Sequence, residues 1–149
     1  MPDPARSHPA SHELDAPPWR RVSRLLATAR QISKAYNDGF ADLGLNLTTA
    51  TILVYVEEFG PATQTQIADH LGHGRAATSS SIDRLVAEQL VERLPNPADR
   101  RVWLISITEK AKPILETIAG IDARIRDGLR HGITRAQRQN SQPSWNSSR

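Results

Sequence analysis

A chain of 149 residues, 38% apolar and 23% charged, is long enough for one domain with a core and short for two. Its net charge of +3 and pI of 9.8 tilt it toward a polyanion partner. It has no cysteine, which excludes disulfides, zinc–thiolate sites and thiol redox sensing. The longest clean apolar run, Ile52–Val56, falls far short of the ~20 residues of a bilayer helix. The Pro-, Ser- and His-rich start has no apolar h-region of the kind a signal peptide needs, so the chain reads as cytoplasmic, with no membrane partner.

Residues 1–18 hold five of the ten prolines, lack periodicity and read as a disordered arm. From Trp19 apolar residues fall at 19, 22, 25, 26, 29, 32, 36, 40 and 43, which predicts one long amphipathic helix ending near Gly44. Leu47-Thr48 opens a second helix, with Thr48 as N-cap and Ile52, Leu53, Val56 and Phe59 inward; Gly60-Pro61 ends it. Thr63 and Gln66 form a capping box for a short third helix, Gln64 to Leu71, with Ile67, Ala68 and Leu71 inward. Gly72-His73-Gly74 turns tightly into a fourth helix, about Arg75 to Gln89.

After Leu90 the period changes from 3.6 to 2. Val91–Leu94 and Val102–Ile107 read as two strands of a hairpin, with Trp103, Ile105 and Ile107 on one face and a turn at 95–99 between them. Alone, such a hairpin is marginal. Thr108 caps a fifth helix with Ala111, Leu115, Ile118, Ile121 and Ile125 inward and a local distortion at Pro113. Residues 137–149 read as a polar, disordered tail.

Helix, short helix, tight turn, helix and hairpin is the order of a winged helix-turn-helix. Placement of charge matters more than its sum, because residues 60–108 carry 5 basic and 5 acidic groups. On the fourth helix Ile82, Leu85, Val86 and Leu90 must face the core, with Thr78 and Ser79 bordering it. Ala77, Ser80 and Arg84 then point away, flanked by Ala76, Ser81 and Asp83. That face is small and polar, so a nucleic-acid backbone can come close; serine hydroxyls can meet phosphates or base edges, and Arg84 can neutralise a phosphate. At the hairpin tip Arg100 and Arg101 suit the negative potential of a minor groove. Asp99 is expected to hold one of them by a bidentate ion pair.

Residues 47–110 resemble the MarR-type winged-helix regulators of bacteria and archaea. The resemblance is carried by Leu47-Thr48, the run from Gln66 to Gly72, the run from Ile82 to Arg93, Asp99-Arg100-Arg101, and Ile107-Thr108-Glu109-Lys110. It implies a mainly α fold with a small β-hairpin, in which a winged domain at 47–108 sits between dimerisation helices at 19–46 and 109–136. It implies a homodimeric repressor on a pseudo-palindromic operator, modulated by a small effector, often aromatic or phenolic, that changes the spacing of the two recognition helices. Positions matching Arg75, Ala76, Ala77, Ser80 and Arg84 lie on the family's recognition helix. Those matching Asp99 and Arg101 form its wing pair, with Arg100 beside them. Gly74 stands where an N-cap serine is common, and Ser80 where an arginine is common. Family members also end in a further amphipathic helix that pairs with the first across the dimer, and Gln137–Arg149 shows no such stripe.

Other readings carry less. His70 and His73 are three apart, but no carboxylate or thiol completes a metal set, and His73 reads as a partly buried structural histidine; His8, His12 and His131 stand near the chain ends. No nucleophile elbow, phosphate loop or paired inward carboxylates mark an enzyme, and no cofactor is expected. Glu57-Glu58 reads as a solvated helix end. Trp19, Tyr36 and Tyr55 read as core packing, with an effector pocket as the alternative use. The rival function is a winged-helix protein-interaction module without operator-specific DNA binding, favoured by the arginine-poor face of the fourth helix.

Overall fold

A computed structural model describes the backbone of residues 18–140 and side chains through residue 132. Residues 1–17 of the arm expected at 1–18, and the end of the expected tail, 141–149, lie outside the described residues, while Pro18 already belongs to the first helix. The chain divides into two compact units at Lys34. In the first, the early turns of helix α1 (Pro18–Phe40) present Trp19, Val22, Leu25 and Leu26 to solvent, Trp19 at 63% exposure. Pro18 opens α1, where its missing N–H costs nothing. The expectation that Trp19 packs in a core is therefore corrected: its stripe has the right helical period but nothing of its own unit to lie against.

The second unit begins inside α1. A 3₁₀ turn, Ala41–Leu43, carries the chain to Gly44, whose φ of +70° closes the helix in a left-handed conformation. Helix α2 (Leu47–Phe59) is capped by Asn46, not Thr48. The Asn46 side chain accepts from the Thr49 N–H at 2.9 Å and the Thr49 hydroxyl accepts from the Asn46 N–H at 2.9 Å, a complete capping box that places Thr48 inside the first turn. Phe59 is not inward either: it is 63% exposed, in the last turn of α2, where its ring lies 4.9 Å from that of Tyr55.

Strand β1 (Ala62–Thr63) leads into α3 (Gln64–Leu71), capped by the expected Thr63–Gln66 box. Helix α4 (Arg75–Ala87) follows, then β2 (Val91–Pro95), β3 (Trp103–Ile107), a 3₁₀ turn at Glu109–Ala111 and α5 (Lys112–Asn140). The sheet has three strands in the order β1-β3-β2, not the two expected. Ala62 pairs with Ile105 and Thr63 with Leu104, so β1 covers the second edge of β3 and supports a hairpin that would be marginal alone. A two-residue strand after Pro61 has no alternation to read. On β3 the inward face holds for Ile105, 1% exposed, and fails for Trp103, 52% exposed beside the wing tip.

Thr108 does not cap α5 with its side chain; its hydroxyl donates to the Gln89 carbonyl at 2.7 Å, across the end of the hairpin. The expected distortion near Pro113 appears as the 3₁₀ turn before α5, which leaves the proline at the second helical position, where no N–H is needed. Helical backbone continues to Asn140, past the expected boundary at 137. The core joins Ile52 and Leu53 of α2, Ile67 of α3, Ile82 and Leu85 of α4, and Ile105 of β3, with Phe40, Ala111 and Ile118 closing the α1–α5 side.

Candidate nucleic-acid interface

The helix-turn-helix is set by backbone chemistry. Gly72, φ +64°, ends α3; its N–H bonds to the Ala68 and Asp69 carbonyls, and the His73 N–H reaches back to Ala68 at 3.3 Å. Any L-side chain at that φ is strained, so glycine suits the corner. Gly74 then opens α4 with extended backbone and no side-chain cap. The Gln64 side-chain amide donates to the Arg75 carbonyl at 3.4 Å, tying the start of α3 to the start of α4. His73 is exposed rather than partly buried. His70 is exposed too, its ring 4.5 Å from that of Tyr55.

On α4, Thr78, Ile82 and Leu85 are fully buried, which fixes the opposite face as the outer one. Arg75, Ala76, Ala77 and Ser80 are exposed and Ser81 is half-buried. Ser80 and Ser81 donate to the carbonyls of Ala76 and Ala77 at 3.1 Å, so each hydroxyl oxygen faces outward as an acceptor. Arg84 is exposed, as the helical period predicts, and it also has partners within the chain. Its guanidinium donates to the Gly44 carbonyl at 2.6 Å and stands 3.5 Å from Glu88, so it braces α4 against the turn between α1 and α2. Neighbouring Asp83 pairs with Arg93 of β2, linking α4 to the wing. Nothing in the sequence marks either contact, since both join residues ten or more apart.

The wing tip is shaped by two side-chain turns. The Asn96 side chain accepts from the Ala98 N–H and that of Asp99 from the Arg101 N–H, each at 3.0 Å, while the Val102 N–H closes a turn onto the Asp99 carbonyl at 3.0 Å. Asp99 thus holds Arg101 through its backbone; among the described residues no ion pair joins it to Arg100 or Arg101, which corrects the expected bidentate pair. Aspartate at the first turn position competes for the nearby backbone N–H before the guanidinium can reach it. Asp99, Arg100 and Arg101 are all exposed.

A cavity of about 620 Å³ lies between the end of α1, α2 and α5, lined by Phe40, Leu47, Ala50, Val54, Leu115 and Ile118 among others. Tyr36 lines it and donates its hydroxyl proton to Asp122 at 2.7 Å. Glu57, which also lines it, is bound by Lys112 of α5 at 2.8 Å, so this helix end is bridged rather than merely solvated. Burial first, then Asp122 as acceptor and as negative charge, hold the Tyr36 hydroxyl above its ordinary pKa, with Arg126 opposing. A raised acid favours the neutral form in the fold, so the stabilisation is complete below the unfolded tyrosine value, about 10, and is lost as pH rises through the folded value. Tyr36→Phe is expected to cost about 0.5–1.5 kcal/mol at neutral pH and to lack that alkaline loss. Urea melts of both proteins at neutral and alkaline pH check this, and parallel alkaline decline would show that Tyr36 is not its source.

No single helix among the described residues is long and apolar enough to cross a membrane. The MarR family model matches residues 43–102, from the turn that Arg84 braces through α3, α4 and the wing tip. A curated relative, the HTH-type transcriptional repressor NicR of Pseudomonas putida, is 26% identical over 117 residues, 76% of this chain and 74% of its own. Wild-type MarR of E. coli, in its apo form, shares the fold with a TM-score of 0.67 at 22% identity, over 78% of this chain and 84% of that one. BpsR of Bordetella bronchiseptica, whose DNA binding is regulated by 6-hydroxynicotinic acid, gives 0.68 at 17% identity over 90% and 99%. The matched segment runs from the start of the helix-turn-helix to the wing tip and the shared fold extends beyond it on both sides, so residues 43–102 are similar to the MarR family and the chain has the fold of the MarR structures.

Proposed function

We propose that the chain is a sequence-specific double-stranded-DNA-binding repressor that acts as a homodimer on a pseudo-palindromic operator and responds to a small molecule. The observation that carries this reading is the outer face of α4, where Arg75, Ala76, Ala77 and Ser80 are exposed together with the Arg100–Arg101 wing tip. Small side chains let the helix approach base edges closely, and the outward serine oxygens accept hydrogen bonds from them. The uncapped first turn of α4 keeps its N–H groups for a phosphate. Arg100 and Arg101 supply the wing's charge to a minor groove or backbone.

Dimerisation is supported by the exposed stripe of Trp19, Val22, Leu25 and Leu26, an apolar surface that a second copy would cover. The cavity between α1, α2 and α5 is the proposed effector site. A ligand there touches α1 just before the Gly44 turn, and Arg84 connects that turn to α4. The test is fluorescence anisotropy on DNA from upstream of the protein's own gene, with scrambled competitor, at two salt concentrations. Binding that survives competitor and weakens with a log–log salt slope of several supports the reading. Binding that appears only at low salt and ignores sequence would instead favour a protein-contact module, the use for which an α4 face with Arg84 engaged by the Gly44 carbonyl and Glu88 is also suited.

A further inference from the structure

The proposed effector cavity has an unusual polar inventory. Among its lining side chains are three carboxylates, Glu57, Glu58 and Asp122, two hydroxyls, Tyr36 and Thr51, and no Lys, Arg, His, Asn, Gln or Trp. Both hydroxyl protons are already committed: Tyr36 donates to Asp122 at 2.7 Å and Thr51 to the Leu47 carbonyl at 2.7 Å. Each polar side chain that faces the cavity therefore offers acceptors only. Glu57 and Glu58 also sit in the last turn of α2, beside the negative end of its dipole, with no basic residue in that turn. Lys112 offsets Glu57 and Arg126 offsets Asp122, at 2.8 and 2.6 Å, whereas no described ion pair offsets Glu58.

A carboxylate or phenolate entering here would lose its water, meet like charge and find no side-chain donor. A protonated amine would find acceptors at the rim while a flat apolar body covers Phe40, Val54 and Ile118. We infer that the cavity takes an aromatic or similarly flat organic cation, an amine protonated at neutral pH, rather than the phenolic effector that the family resemblance also allows. The inference rests on the reading of this cavity as the effector site, but it concerns ligand class and is read without DNA.

The test is calorimetric titration of the full chain with a matched pair of probes, 1-naphthylmethylammonium and 1-naphthoate, which share a body and differ in charge. The exposed-pair energies that act here, attractive for one probe and repulsive for the other, give about tenfold tighter binding of the ammonium. Glu58→Gln, an exposed change outside the core, is expected to reduce that preference several-fold. Ala119→Trp, an exposed lining position, should block both probes by filling the cavity. Equal or tighter binding of naphthoate, no ammonium binding at millimolar concentration, an unchanged preference in Glu58→Gln, or undiminished binding in Ala119→Trp would each overturn the inference. Operator anisotropy with and without the ammonium separates the two claims: binding to the cavity with unchanged operator affinity keeps the ligand class and removes the regulatory role.

Discussion

Ile82→Ala is expected to destabilise the winged domain by about 2–5 kcal/mol, a large share of what holds a small domain together. Ile82 is fully buried on the inner face of α4 and belongs to one cluster with Ile52 and Leu53 of α2, Ile67 of α3 and Ile105 of β3. Those side chains come from four elements whose positions are mutually determined, so the space left by three lost carbons cannot be closed by moving one of them. The cost is the lost transfer energy plus the cavity that remains. Two changes on the outer face provide the control. Ala77→Ser and Ser80→Ala touch exposed positions and are expected to stay within about 0.5 kcal/mol. Urea denaturation followed by circular dichroism reads all three, with an unchanged m-value showing that folding remains two-state. An Ile82→Ala loss no larger than that of the outer-face variants would mean that α4 is not docked on this core, and its outer face would then have no defined aim.

The double variant Arg100→Ala, Arg101→Ala is expected to have the largest effect on DNA. Neither guanidinium has an internal ion-pair partner among the described residues, and the two side-chain turns on Asn96 and Asp99 hold the tip in shape without them. Removing them should leave the melting curve nearly unchanged. Each arginine that contacts a phosphate contributes about 0.9 to the log–log salt slope, and a dimer counts each contact twice. Operator affinity is expected to fall by roughly tenfold or more, with a visibly shallower slope. Arg84→Ala should behave in the opposite manner. Its guanidinium is engaged by the Gly44 carbonyl and Glu88, so its loss is expected to lower stability and leave the slope as it was. If the slope falls in Arg84→Ala and holds in the wing variant, the charges that meet DNA have been assigned the wrong way round.

The helical order, the Thr63–Gln66 capping box, the glycine corner between α3 and α4 and the inward pair Ile82 and Leu85 were all legible in the amino-acid order. Each depends on interactions within four residues or on a period that repeats along one element, so a linear reading contains the whole cause. The outer face of α4 follows by subtraction from that same period. Asn46 displaced Thr48 as a cap because two neighbouring residues could both serve, and the choice fell on the one whose partner, Thr49, could bond back to it.

What tertiary structure alone decided were contacts between residues far apart in the chain. Strand β1 exists because β3 offers it an edge, and two residues carry no period of their own. The direction of Arg84 depends on where the Gly44 carbonyl arrives, forty residues earlier. Trp19, Phe59 and Trp103 satisfy the helical or strand period and still face solvent, because periodicity says which side of an element is apolar and not whether anything lies against it. The acceptor-only lining of the cavity is the furthest from the sequence. It requires Tyr36, Thr51 and Asp122 to meet from three helices and their protons to be committed in particular directions, a geometry that no local rule specifies.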